Sequence, residues 1–153
     1  MAHFTTTHEV RHSATDMFDL VADVEAYPRF VPLCQKLVVR SRREEGGKEI
    51  LIATMTVAYK VFHESFTTRV TLDRANFSIH AEYLEGPFSH LENTWRFEPH
   101  GRGDCLVRFT IDYEFRSRSL GMLLGAVFDK AFRKFSAAFE ARADAVYGGG
   151  ASV

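Results

Sequence analysis

The stretch DCLVRFTIDYEFRSRSLGMLLGAVFDKAFRKFSAAFEARADAVY, residues 104–147, changes its periodicity halfway, and that change decides the fold. From 104 to 116 the chain alternates. Val107, Phe109, Ile111, Tyr113 and Phe115 fall on one side, and Arg108, Thr110, Asp112, Glu114 and Arg116 on the other. A period of two marks a strand with one dry face. Beyond it Leu120, Leu124, Val127, Phe128, Ala131, Phe132, Phe135, Phe139 and Val146 recur every three or four positions, the spacing of a helix with a single apolar face. The pattern predicts one amphipathic helix over 120–147, about 40 Å long at roughly 1.5 Å per residue. Gly148-Gly149-Gly150 ends it, and residues 148–153 are expected to form a disordered tail.

Upstream, strand-like segments over 34–43, 48–59, 61–73, 76–85 and 89–99 are separated by Gly46-Gly47, Asp73 to Asn76, Gly86-Pro87 and Gly101-Arg102-Gly103. Turns this short imply antiparallel hairpins. In 89–99, Leu91, Trp95 and Phe97 oppose His90, Glu92, Arg96 and Glu98. Phe4 to Val10 alternates as a further strand. Ser13 then stands three residues ahead of Asp16 as a helix cap, and Met17, Leu20, Val21 and Val24 follow at helical spacing, giving a helix over 14–24. Tyr27-Pro28-Arg29-Phe30-Val31-Pro32 reads as a second, very short helix bounded by proline. The fold class is therefore α+β. A curved seven-stranded antiparallel sheet wraps one long C-terminal helix, with two short helices after the first strand: a helix-grip in a single domain over 1–147. The helix's side chains cannot fill so curved a sheet everywhere, so a tunnel or cleft is expected between the two layers.

At 153 residues one core suffices without disulfides or metal. Nineteen basic and 20 acidic residues leave a formal charge of −1, against the broad positive field of non-specific nucleic-acid binding, and DNA is not an expected partner. Phe is abundant: 14 Phe accompany 5 Tyr and 1 Trp, a composition that suits either a ring-rich core or a ring-lined cavity. Cys34 and Cys105 are far apart and form no CxxC pair, so free thiols in a reducing compartment are expected. No window is apolar enough for a signal peptide or a membrane-spanning helix. A cytoplasmic protein is the expectation, with peripheral attachment to the inner membrane as the further option.

Motifs for chemistry are sparse. His8 and His12 straddle a strand end and a helix cap, so they do not form the paired helical ligands of a zinc site. His80-Ala81-Glu82 lacks the downstream cysteines of a deaminase. Gly101-Arg102-Gly103 joins two strands and should cradle no phosphate. His63 and Glu64 are adjacent in a central strand, so one of them must point inward; an outward Glu64 beside an inward Thr or Ser is the expected arrangement. Positive charge gathers at Lys36, Arg40, Arg42, Arg43 and Lys48, and again at Arg116, Arg118, Lys130, Arg133, Lys134 and Arg142. Both clusters read first as solvated faces; the second lies on the polar side of the amphipathic helix, where phospholipid headgroups or ribosomal RNA phosphates are candidate contacts.

Several segments, in this order and spacing, together resemble one family: Tyr27-Pro28-Arg29-Phe30-Val31-Pro32-Leu33-Cys34, Phe66-Thr67-Thr68-Arg69, Glu85-Gly86-Pro87-Phe88, Trp95-Arg96-Phe97 and Asp112-Tyr113-Glu114-Phe115. They resemble the coenzyme Q-binding branch of the START-like superfamily over roughly residues 3–147. Similar bacterial sequences often carry Gly before the tryptophan, where this chain reads Leu91-Glu92-Asn93-Thr94-Trp95. The resemblance implies a START/Bet v 1-like helix-grip with a hydrophobic cavity and two functions. Mitochondrial relatives bind ubiquinone and support its delivery to the respiratory chain, whereas some bacterial relatives are ribosome-association toxins. No targeting segment precedes Phe4, which favours a bacterial origin.

The leading expectation is non-enzymatic binding of ubiquinone or a related prenyl quinone, with no cofactor required. A toxin acting on the large ribosomal subunit and a small cyclase or isomerase working in the cavity are the alternatives. Burying a prenyl tail is worth about 0.8 kcal/mol per carbon group, and a quinone head adds flat ring surface and carbonyl acceptors. The expected ligand contacts are Tyr27, Phe30, Pro32, Met55, Phe62, Phe66, Phe88, Leu91, Trp95, Phe109, Tyr113, Leu124, Phe128 and Phe132. Tyr27 and Phe30 would form a mobile apolar lip. Lys130, Arg133 and Lys134 are the expected contacts to RNA or membrane.

Overall fold

In the computed structural model, residues 2–148 are described. The expected tail, apart from Gly148, lies outside them. The strands are β1 (Ala2–Val10), β2 (Cys34–Glu45), β3 (Lys48–Tyr59), β4 (Phe62–Asp73), β5 (Ser78–Glu85), β6 (Phe88–His100) and β7 (Asp104–Phe115), paired antiparallel in the order β1-β7-β6-β5-β4-β3-β2. β2 to β7 form a meander of hairpins. β1 reaches β7 at the opposite edge because α1 (Ala14–Ala22) and a 3₁₀ helix (Val24–Arg29) carry the chain across the open side of the sheet. The Ser13 hydroxyl caps α1 by accepting from the Asp16 N–H at 3.0 Å.

Register places one side chain from each strand in rows across the concave face. One row runs Val70, Ala81, Asn93, Ile111, Phe4, and the next runs Leu72, Ile79, Trp95, Phe109. Irregularities at Cys34/Lys36, Val39/Ser41, Thr67/Thr68 and Phe88/His90 bend the ladder, as bulges do, and so help the sheet to curl.

The C-terminal segment departs from the expected single helix. It forms α2 (Arg118–Arg133) and α3 (Phe135–Tyr147), broken at Lys134, whose N–H turns back to the Ala131 carbonyl at 3.0 Å. No proline or glycine marks the break. It allows both halves to keep their rings on a curved sheet. Phe128 packs on Phe88 and Phe115, whereas Phe139 packs on Tyr27, Phe30 and Trp95 with ring centroids 5.0–5.3 Å apart. A straight helix would lift one end away. Ser136, just past the break, is left with a buried hydroxyl that has no partner among the described residues. On the other side His8 and His12 reach Glu140 and Asp144 of α3 at 2.6 and 2.7 Å, tying the helix to the edge of β1.

Gly86, between β5 and β6, has φ +141°, and a Cβ there would lie 2.6 Å from the Phe66 Cβ and 3.0 Å from the Ser65 carbonyl oxygen. The position excludes any side chain. Gly86→Ala is therefore expected to destabilise by about 2 kcal/mol through strain and clash, a fall in melting temperature of roughly 4–8 °C. Ser136→Ala removes an unsatisfied buried hydroxyl, so it should be neutral or raise stability by up to about 1 kcal/mol. Thermal melts of the two variants should shift in these opposite senses.

Candidate functional site

Between the concave sheet face and the helices lies a cavity of about 100 Å³. Its floor comes from alternate residues of the central strands, Ala53 and Met55 on β3, Phe66, Thr68 and Val70 on β4, Ala81 on β5, and Leu91, Asn93 and Trp95 on β6. Its roof is Phe128, Ala131, Phe132, Phe135 and Phe139. Tyr27, Pro32, Leu33 and Leu37 close the side towards β2. Leu33 adopts φ +68° although it is not glycine, and its carbonyl accepts from the Ala58 N–H at 3.0 Å. Such left-handed backbone costs energy in a branched residue and persists only when its surroundings hold it.

The walls are almost wholly apolar, with a few polar groups in fixed places. Thr68 is buried and lines the cavity. Asn93 donates through Nδ2 to the Thr110 carbonyl at 2.9 Å, which fixes the amide. Trp95, also in the wall, is only 3% exposed. The Tyr27 hydroxyl donates to the Val21 carbonyl at 2.5 Å, anchoring the 3₁₀ helix to α1. Burial pushes the Tyr27 phenol far above its ordinary value, with smaller contributions from Cys34 and Asp23. Ala81, in the row of Asn93 and next to that of Thr68, adds only a methyl group to the floor.

Of the expected contacts, Tyr27, Pro32, Met55, Phe66, Leu91, Trp95, Phe128 and Phe132 line this cavity. Phe62 and Leu124 instead border a smaller recess at the β3–β4 hairpin end, with Val57, Tyr59 and Phe128. Phe30, Phe88, Phe109 and Tyr113 line neither space. Phe30 packs on Tyr27 and Phe139 and carries the Arg142 guanidinium over its ring. Phe88 is fully buried among Phe66, Tyr83, Tyr113, Phe115 and Phe128. Phe109 packs beside Trp95 with centroids 4.6 Å apart. Tyr113 packs on Phe132, and burial, reinforced by Asp129 and opposed by Arg133, pushes its phenol up to about 12.

Glu64 reverses the expected orientation. It shares the parity of Phe62, Phe66 and Thr68, lines the smaller recess, and makes no hydrogen bond or ion pair among the described residues. The basic triad also separates. Lys130 and Lys134 are exposed one turn apart, whereas Arg133 pairs with Asp129 at 2.9 Å and lies over the Phe4 ring at 4.7 Å. Sequence reasoning missed the small and aliphatic walls, Ala53, Ala81, Ala131, Val70 and Ile111, together with the polar pair Thr68 and Asn93. The alternation of β4 and β6 carried the signal, since both polar residues occupy inward positions.

A curved antiparallel sheet closed over an apolar cavity by C-terminal helices defines a helix-grip domain. The chain belongs to the polyketide cyclase / dehydrase and lipid transport family, which it matches over residues 10–140. It is 33% identical over 147 residues to the ribosome association toxin RatA of Escherichia coli K12, covering 96% of this chain and 90% of that one. It is 32% identical over 140 residues to the mitochondrial coenzyme Q-binding protein COQ10 homolog B of Xenopus laevis, covering 89% of this chain and 55% of that relative. The solution structure of an 18 kDa protein from Caulobacter crescentus is similar with a TM-score of 0.79 at 36% identity, covering 97% of this chain and 99% of that one. Among the described residues no helix is long and apolar enough to cross a membrane.

Burial raises the Cys34 thiol to about 11 and the Cys105 thiol to about 12, with Asp104 adding to the latter. Both folded-state values lie above the unfolded one, so the stabilisation they carry is complete below about pH 8.5 and is lost as pH climbs towards 11–12. Urea midpoints should hold from pH 7 to 8 and fall between pH 9 and 11, less steeply in Cys105→Ala. Thiol-reactive dyes should label the native protein far more slowly than the unfolded chain at pH 8.

Proposed function

We propose that the chain is a carrier that binds a prenyl quinone, ubiquinone or a close relative, and releases it unchanged. The observation that carries this reading is the cavity itself: an apolar chamber whose few polar groups, Thr68, Asn93 and Trp95, lie on successive rows of its concave floor. A quinone ring bears acceptor oxygens on opposite edges and an apolar face. The Thr68 hydroxyl and the Trp95 N–H suit the oxygens as donors, Ala81 leaves space beneath the ring, and Phe128 and Phe132 cover it. The cavity of about 100 Å³ is smaller than the roughly 150 Å³ that holds a benzene ring and well below the roughly 300–1,000 Å³ of pockets that enclose larger ligands, so the head itself needs the walls to give way. The prenyl tail must therefore displace part of the cover. The 3₁₀ helix with Tyr27 and the break at Lys134 are the places where the cover is not continuous regular structure. The resemblance to a coenzyme Q-binding relative supports the same ligand class.

The similarity to ribosome association toxins supports a second reading, in which exposed Lys130 and Lys134 meet RNA phosphate. The two readings differ in their response to salt and to the cavity. Contacts to RNA release counterions and weaken steeply as salt rises, whereas burial of an apolar tail responds little to modest salt. Trp95 is the single tryptophan, so its fluorescence reports directly on the cavity. Titration with a short-tailed ubiquinone analogue should quench it, with affinity nearly independent of salt. Thr68→Val should weaken binding by about tenfold, the loss of one hydrogen bond to the head. Lys130→Glu with Lys134→Glu should leave uptake unchanged. Organic extraction of the purified protein followed by mass spectrometry should recover a prenyl quinone. Unquenched Trp95 and an extract free of quinone, with salt-sensitive co-sedimentation on large ribosomal subunits that the double Lys variant loses, would replace the carrier reading with the toxin reading.

A further inference from the structure

The outward face of α2 is not an ordinary solvated face. Between Arg118 and Lys130 its exposed positions are Ser119, Met122, Leu123 and Ala126, with Met122 81% and Leu123 60% exposed. No carboxylate stands among them. Asp129, the acid on this helix, is engaged by Arg133. The middle of the face is thus apolar, with Arg116 and Arg118 beside Glu114 at one end and Lys130 and Lys134 at the other. Elsewhere on the surface Arg42, Arg74 and Arg108 are paired with carboxylates.

The tip of the β3–β4 hairpin extends this surface. Tyr59 and Phe62, on either side of the tip, share their recess with Leu124 and Phe128 of α2. Val61 between them is 87% exposed, and Lys60 beside it carries its ammonium 5.3 Å from the Tyr59 ring centroid. Val61 and Leu123 are each next in sequence to a residue that lines this recess, Phe62 and Leu124, and Phe128, which also borders it, lines the main cavity as well.

We propose that this surface docks the protein on an anionic lipid bilayer. Met122, Leu123 and Val61 enter the boundary between headgroups and acyl chains, and Lys60, Arg116, Arg118 and Lys130 meet lipid phosphates. A surface with an apolar centre and a basic margin is the pattern of interfacial helices, and each cation near an anionic membrane adds about fivefold in affinity. RNA phosphates would use the cations but gain nothing from three large apolar side chains at the centre. A second copy of the chain packed across a two-fold axis would bring like charges together at both ends. Docked in this way, the recess between hairpin and helix opens towards the acyl chains. An apolar ligand then reaches Phe128 without crossing water. The purpose of the docking rests on the carrier reading, but the test does not, because the vesicles contain no quinone.

The full chain is floated with vesicles of phosphatidylglycerol and phosphatidylcholine, and with vesicles of phosphatidylcholine alone, at low and high salt. The wild-type protein should float with the anionic vesicles at low salt and bind the neutral ones at least about tenfold more weakly. Met122→Glu with Leu123→Glu, and separately Val61→Glu, should each weaken binding to anionic vesicles by at least about tenfold. These positions are exposed, so melting temperatures should stay within a degree or two of wild type, as is usual for surface changes. The proposal is overturned if the wild-type protein does not float with anionic vesicles, or if the Glu variants bind them as the wild type does. It is also overturned if sedimentation shows a dimer that Leu123→Glu dissociates without altering vesicle binding. Loss of ribosome co-sedimentation in the Leu123→Glu variant, with vesicle binding intact, overturns it in favour of an RNA surface.

Discussion

The concave face of the sheet is covered chiefly by rings, and the molecule is organised around that contact. Phe128, Phe132, Phe135 and Phe139 descend from the two C-terminal helices onto Phe88, Phe115, Tyr113, Phe109 and Trp95, in edge-to-face and tilted pairs. Rings packed in this way stabilise by about 0.5–1.5 kcal/mol per pair beyond the area they bury. The same demand breaks the helix at Lys134 and leaves Ser136 without a partner, because following the sheet outweighs the hydrogen bonds of one regular turn.

Where the rings stop, the cavity begins. Ala53 and Ala81 in the floor and Ala131 in the roof stand where large side chains would be needed to fill the space. An apolar void forfeits the dispersion contacts of its lining, at a cost that grows with its volume. Thr68 and Trp95 set polar groups against this void, where a bound head group can meet them. Two separate costs in one place, the void and the left-handed Leu33, suit a ligand site better than a core that merely packed poorly.

Much of this was legible in the chain. The switch from period two to helical spacing around residue 117 places a sheet and a helix face to face, and the glycine-marked turns define a meander. Ser13 capping α1 follows from its spacing to Asp16. The individual cavity walls were harder to read. Counting Phe pointed at ring-lined space, yet Phe30, Phe88 and Phe109 spend their surface on other rings, and aliphatic residues with a threonine and an asparagine form much of the wall. Alternation tells which face of a strand a side chain shares, but not how far the opposite layer stands from it. Glu64 shows a further limit: its parity was shared with Phe66 and Thr68, but a carboxylate's usual preference for solvent argued the other way, and the edge of the recess gave it room facing inward.

The amino-acid order by itself determined the elements, their antiparallel succession, the dry faces and the domain's single core, because these depend on local periodicity and turn chemistry. Only the tertiary structure decided where the long helix breaks, which aromatic residues touch one another, and where two alanines of the sheet and one of the helix line a void. It also decided that Leu124 of the C-terminal helix shares a recess with Tyr59 and Phe62 of the β3–β4 hairpin, residues more than sixty positions away in the chain. Those outcomes depend on the curvature of a seven-stranded sheet, which arises from twist and bulges accumulated over every strand and is written in no single segment.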